Sequence, residues 1–248
     1  NGSGATAVQW CWKANGTGSA NTDGTINSTV SANTTAGFSI VSYTGNNSNA
    51  QTIGHGLGVA PKMYMIKRRD STSAWGVYHA SLGENKYLQL ETTNAEATDT
   101  GIWNNTAPTS TVLSLGNAGY FNNASGGTYV CYAFAEKKGY SKFGFYTSNG
   151  NADGPFIYTG FKPALVLVKN ASSTAAWMLY DNKRDVDNPN TKALMPNLNN
   201  AEDVNAENVD FLSNGFKCRG TGVKLNNSTD KFIYMAFAEQ PGAFSNAR

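Results

Sequence analysis

Acid–base and nucleophilic chemistry have few residues to draw on in this chain. Its 248 residues include two histidines, His55 and His79, three cysteines and 17 carboxylates. His55 lies in a glycine-flanked turn, Gly54-His55-Gly56-Leu57-Gly58, and His79 follows the run Trp75–Tyr78. No Ser-His-Asp or Cys-His spacing stands out, so both histidines are expected to be structural or solvent-exposed. Asp181, Asp185 and Asp187 form the one dense acidic group. Alternating oxygen ligands can hold calcium. Here Lys183 and Arg184 interrupt the group, and the glycine and terminal glutamate of an EF-hand loop are missing, so it is a weak calcium candidate. No metal and no cofactor is expected. A glycosidase needs two carboxylates facing one cleft. Glu136 and Glu239 recur at one position of an internal repeat, and each is expected to end its strand in solvent or in a hydrogen bond. The expectation is a protein that is not an enzyme.

Binding chemistry has one better candidate. Trp103, Asn104 and Asn105 stand together in a polar insertion, residues 97–111. An indole face beside amide donors and acceptors is the chemistry of a sugar site. The competing expectation is that Trp103 packs back onto its own unit. The cysteines, Cys11, Cys131 and Cys218, are odd in number and widely spaced, which argues against a disulfide framework and against zinc. Cys11 and Cys131 sit in apolar, strand-like runs and are expected to be buried, reduced thiols. That points to a reducing folding compartment.

The elements that must position these residues come in two copies. Residues 57–79, LGVAPKMYMIKRRDSTSAWGVYH, recur as residues 159–181, TGFKPALVLVKNASSTAAWMLYD. Gly58, Pro61, Lys67, Trp75 and Tyr78 match Gly160, Pro163, Lys169, Trp177 and Tyr180 at one offset. Tyr43 matches Tyr146, Asn94-Ala95-Glu96 matches Asn200-Ala201-Glu202, and Val112-Leu113-Ser114 matches Phe211-Leu212-Ser213. YVCYAFAEKKG (129–139) returns as FIYMAFAEQPG (232–242). Short apolar runs such as Met63–Ile66 and Leu165–Val168 fit strands covered on both faces. Asn, Gly, Ser and Thr clusters between them supply turn chemistry. The copies differ most in two loops: the Trp103 insertion in the first, and the basic NGFKCRGTGVKLNNSTDK in the second.

The expected fold is all-β: two tandem, jelly-roll-like β-sandwiches packed side by side. The expected units are 37–139 and 140–248, preceded at 1–36 by an N-terminal strand and a polar linker. In that leading part, AVQWCWKANG (7–16) resembles the closing strand. It reads either as the end of a preceding repeat, the reading favoured here, or as an edge strand docked on the first repeat. The stretch 15–36 is almost all small and polar and is expected to lack a core face. The start at Asn1-Gly2-Ser3-Gly4 reads as the interior of a longer polypeptide, and no signal-peptide pattern is seen.

Bulk properties exclude further classes. Net charge is +2 and the longest basic run is Lys67-Arg68-Arg69, too little for a nucleic-acid footprint. No apolar stretch has the length of a membrane span, so no membrane insertion is expected. Charged residues make up 15%, against about a quarter in ordinary soluble domains. Amides and hydroxyls therefore solvate the surface, a composition that suits extracellular, surface-exposed and viral β-proteins.

The strings TAGFSIVSYTGN, IGHGLGVAPKMYMIKRRDST, WNNTAPTSTVLSLG, ASGGTYVCYAFAEKKGYSKFG, NADGPFIYTGFKPALVLVK and DFLSNGFKCR resemble a family of repeated β-domains in large virion proteins of marine tailed bacteriophages. The resemblance spans nearly the whole chain. It implies a virion surface component, a tail fibre or adhesin segment that recognises host-surface glycans or another receptor. Expected partners are that receptor and other virion proteins, and a homo-oligomer such as a trimer is left open. Assembly in the host bacterial cytoplasm agrees with reduced cysteines. A purely structural or decoration module is the alternative, and a polysaccharide-degrading enzyme the less favoured one. The resemblance transfers no site residues.

Overall fold

The computed structural model describes residues 7–204 and 207–239. The chain forms two β-sandwiches. The first contains β1 (Ser19–Asn21), β2 (Ser28–Asn33), β3 (Phe38–Thr44), β4 (Gln51–Gly54), β5 (Met63–Arg68), β6 (Trp75–His79), β7 (Lys86–Gln89), β8 (Ala97–Thr98), β9 (Val112–Leu115) and β10 (Thr128–Phe134). Its large antiparallel sheet runs β1-β2-β3-β10-β5-β6-β7-β8, and β4 pairs with β9 in a small one. The second contains β11 (Ser141–Asn149), β12 (Phe156–Tyr158), β13 (Pro163–Asn170), β14 (Met178–Asp181), β15 (Asn208–Leu212), β16 (Gly215–Arg219) and β17 (Ser228–Ala238). Here the sheets run β11-β17-β13-β14 and β12-β16-β15. The closing strand of each repeat, β10 or β17, lies at the centre of its large sheet.

Side-chain alternation explains why these strands are apolar on both faces. In β10, Tyr129, Cys131 and Ala133 point into the first sandwich, beside Val41, Ile53, Ile66 and Leu113. Phe134 points the other way. It joins Phe38, Met63, Val77 and Leu88 against Phe143, Leu167, Trp177, Met235 and Phe237 of the second repeat. The two large sheets therefore pack face to face, and three apolar cores stack in series. Polar contacts pin the joint. Trp177 Nε1 donates to the Gln89 carbonyl at 3.1 Å. The buried Lys169 ammonium donates to the carbonyls of Thr93 (3.1 Å), Asn170 (3.0 Å) and Ala175 (2.9 Å). With no carboxylate at hand, burial pushes the Lys169 pKa down to about 8. Its counterpart Lys67 makes the equivalent bond to the Ser73 carbonyl, so one lysine in each copy ties off the same hairpin.

Both copies also share an asparagine staple. Asn123 accepts from Asn46 N–H at 2.9 Å and donates to the Ser48 and Gly116 carbonyls. Asn226 accepts from Asn149 N–H at 3.0 Å and donates to the carbonyls of Asn151 and Gly220 and to Asn149 Oδ1. Beside them the Tyr43 and Tyr146 hydroxyls donate to the Asn122 and Leu225 carbonyls. Both asparagines are fully buried, so although each begins an Asn-x-Ser triplet, Asn123-Ala124-Ser125 and Asn226-Asn227-Ser228, neither can be glycosylated in the folded protein. Replacing either by alanine strands several buried backbone groups. Asn123→Ala and Asn226→Ala should each cost about 2 kcal/mol, read as a lower urea midpoint at unchanged slope.

The leading residues depart from expectation. The stretch 15–36 is not a linker: it supplies β1 and β2, and Ile26 and Val30 enter the first core. Two apolar residues suffice because Ser28 and Ser31 are buried on hydroxyl bonds to the Gly54 and Gly16 carbonyls. Residues 7–16 form no strand. They dock by side chains, Trp12 packing on Phe38, Phe134 and Phe237 from both repeats. The segment therefore seals the joint between the repeats instead of extending a sheet.

Candidate functional site: an aromatic groove

The residues with chemical promise are largely spent on structure. Trp103 is fully buried. Its Nε1 donates to the Lys86 carbonyl at 3.0 Å, and its ring meets Tyr64 and Tyr78 edge-on at 5.0 and 6.0 Å. An indole with no exposed face cannot stack on a sugar, so the sugar-site reading of Trp103, Asn104 and Asn105 is corrected and the competing one, packing onto its own unit, holds. Asn104 and Asn105 turn the chain outside it, with φ of 52° and 45°. The insertion reaches the core because β6 has Gly76 at the position where the second repeat has Met178. A Cβ there would stand 3.2 Å from Phe121 and 3.5 Å from Trp103. The first repeat thus fills with a loop tryptophan the volume that a strand methionine fills in the second.

The acidic group likewise caps its own turn. Asp181 accepts from Lys183 N–H and Arg184 N–H at 3.0 Å and pairs with Arg184 Nε at 2.7 Å. These bonds hold its carboxyl below the ordinary range against the opposing effect of burial. Asp185 accepts from Thr191 N–H and hydroxyl, and Asp187 is exposed. The carboxylates do not converge, which removes the calcium candidate. No group of three or more His, Cys, Asp or Glu suited to a metal occurs among the described residues.

Both histidines are buried. His55 Nδ1 accepts from Leu57 N–H and Nε2 lies 3.2 Å from the Thr109 carbonyl. His79 repeats the pattern with Ser81 N–H and, across the joint, the Tyr234 carbonyl. In each ring Nδ1 accepts, so the proton sits on Nε2. Burial lowers both pKa values, that of His79 to about 4. Glu136 pairs with Lys142 at 2.8 Å, and Glu239 pairs with Lys183. Each glutamate therefore has its own lysine. Cys131 and Cys218 are buried, and burial pushes the Cys218 thiol up to about 12. Cys11 was expected to be buried but is exposed, because residues 7–16 lie outside the sheets.

What remains open is a groove that the repeat markers outline. Where the first large sheet extends beyond the cover of the second, Ile40, Met65, Trp75 and Tyr132 stand half-buried beside Phe38 and Phe134. Trp10, Cys11 and Trp12 form the opposite wall, and the space between is about 420 Å³. The rings of Phe38, Tyr132 and Trp75 form a near-parallel row. Tyr132 and Trp75 centroids are 6.2 Å apart at 18°, and Tyr132 and Phe38 are 6.5 Å apart at 4°. Lys67 Nζ lies 5.9 Å from the Trp75 ring, and Glu91 accepts the Trp75 N–H at 2.9 Å. Among the described residues the groove lining is apolar and holds no carboxylate, histidine or lysine, with Lys67 and Glu91 only at the Trp75 rim.

Sequence reasoning identified Trp75, Trp10 and Trp12 as repeat markers and not as a site. The equivalent face of the second repeat, with Trp177, Leu167 and Met235, is buried under the first. Residue type is the same on the covered and the open face, so exposure is decided by docking alone.

No curated protein and no solved structure matches the chain. A family model described as "Domain of unknown function (DUF7483)" matches residues 1–241. A match of that extent means that the chain belongs to the DUF7483 family.

Proposed function

We propose that this chain is a surface module of a bacteriophage virion, a tail fibre or adhesin segment, that attaches to host-surface glycans through the aromatic groove. One observation carries the reading: an open wall of half-buried aromatic rings, with no carboxylate, histidine or lysine in its lining, on an otherwise amide- and hydroxyl-rich protein. Aromatic faces bury the apolar C–H face of a sugar ring while its hydroxyls stay solvated. The absence of an acid–base pair in the groove favours binding without cleavage. The three unpaired thiols agree with assembly in a reducing bacterial cytoplasm, and the resemblance to phage virion repeats supplies the setting. Other virion proteins are the remaining partners.

The test is a glycan array probed with the wild type and with Trp75→Ala. The wild type should bind a subset of glycans. The variant should bind them about ten-fold more weakly, the loss of one stacking contact of about 1.4 kcal/mol, while staying folded, as a cooperative urea transition shows. A wild type that binds no glycan would leave the structural or decoration role in its place. Equal binding by the variant would move the site away from the groove.

A further inference from the structure

The aromatic groove does not end at Trp10. The same indole walls a second depression of about 290 Å³, whose far side is Leu165, Asn182 and Glu239 of the second repeat. Asn182, Lys183 and Glu239 in turn line a third depression of about 260 Å³, which reaches Lys162, Asp187 and Asn188. Three depressions with shared walls thus run from an aromatic end on the first repeat to a polar end on the second. The polar end has groups to spare. Exposed Asp187 makes no side-chain hydrogen bond or salt bridge among the described residues, and exposed Lys162 interacts only through its charge, with Glu239. The Lys183–Glu239 pair is exposed on both sides, at 74% and 50%, and so is weakly held and free to exchange for hydroxyl contacts.

We infer that the groove is one end of a trough that takes a neutral oligosaccharide of several units, stacked at Trp75 and Tyr132 and hydrogen-bonded at Lys162 and Asp187. This rests on the glycan reading above and extends it to a ligand class. Charge selects the neutral class. Asp181, Asp185, Asp187 and Glu239 face Lys162, Lys183 and Arg184 along the second and third depressions, and most of these charges are paired, so no net positive charge draws a polyanion there. Free donors and acceptors of both signs suit hydroxyl and acetamido groups, which offer both in return. The succession of subsites requires a chain: one sugar fills one depression, and only a longer glycan reaches the polar end.

The probes are chito-, cello-, malto- and laminari-oligosaccharides, each as dimer and hexamer, titrated calorimetrically into the whole chain. At least one hexamer should bind about ten-fold or more tightly than its dimer. Lys162→Ala combined with Asp187→Ala should erase that gain and leave dimer affinity unchanged, while Trp75→Ala should weaken both. Both polar residues are exposed, so the double variant should keep the wild-type melting temperature. Equal affinity for dimer and hexamer would overturn the trough and leave the aromatic site standing. A length gain that survives in the double variant would overturn the polar end. No binding of any probe would overturn the neutral-oligosaccharide trough, and the glycan reading falls with it only if the wild type also binds nothing on the glycan array.

Discussion

Trp103→Ala should destabilise the first repeat by about 3–5 kcal/mol, the cost of emptying a fully buried aromatic site. The indole is wedged between Tyr64, Tyr78 and the floor left open by Gly76. Its removal leaves a cavity and strands the Lys86 carbonyl, which now accepts the indole N–H. Collapse cannot fill the space cheaply, because Tyr64 and Tyr78 are held by their own stacking at 4.6 Å and the sheet beneath them is paired on both sides. Urea unfolding followed by tryptophan fluorescence reads the effect as a large drop in midpoint. Trp75→Ala, half-buried at the groove, should lower that midpoint far less. A Trp103→Ala protein as stable as the wild type would return this residue to the surface and reopen its candidacy as a binding platform.

The second large effect is on pH. His79 titrates near 6.5 in the unfolded chain and near 4 in the folded one. Above pH 6.5 both forms are neutral and the full contribution is present. As pH falls from 6.5 towards 4, the unfolded chain takes up a proton that the folded chain refuses, so stability falls with falling pH. The window spans about two and a half units, or about 3 kcal/mol. His55 is depressed in the same direction by burial and steepens the fall. Protonating His79 would put a second proton on Nδ1, where Ser81 N–H already donates, while Nε2 bonds the Tyr234 carbonyl across the joint. Acid should therefore break the bond to Ser81 within the first repeat and place a buried positive charge near Lys231, while the Nε2 bond to Tyr234 persists. Urea midpoints measured at pH 7, 6, 5 and 4 for the wild type and His79→Gln check this. The wild-type curve should fall more steeply between pH 6.5 and 4, and parallel curves would exclude His79 as the cause.

The duplication and the strand positions were legible because they rest on local rules. Pro61 and Pro163 enter strands, Lys67 and Lys169 close them, and alternating apolar residues declare two faces. Glu136 and Glu239 were rightly expected to end strands in polar contacts. The linker reading failed at Ile26 and Val30, since two apolar residues in a serine-rich stretch carry too little periodicity to reveal a strand whose neighbours satisfy its hydroxyls. Trp103 stayed between two readings, sugar platform and packing onto its own unit, and the second holds. A tryptophan among asparagines looks exposed when read locally, and the signal that it is buried lies elsewhere, in the glycine at position 76 that makes room for it. Cys11 was taken for a core residue because WCWK copies the composition of a closing strand. Composition carries no hydrogen-bond partner, and that segment found none in a sheet.

By itself, the amino-acid sequence determined an all-β chain of two related units, the strands of each unit, their two-faced apolar character and the scarcity of catalytic groups. All of these are set by residue type and short-range spacing. Tertiary structure alone decided which of two equivalent tryptophans meets solvent. Trp177 lies under the first repeat and Trp75 lines an open groove, although both close the same hairpin by the same lysine device. The physical reason is that two sheets of unequal width, packed face to face with residues 7–16 wedged along the seam, cannot cover each other completely. The uncovered part of the wider sheet is a property of the docking and of no single residue.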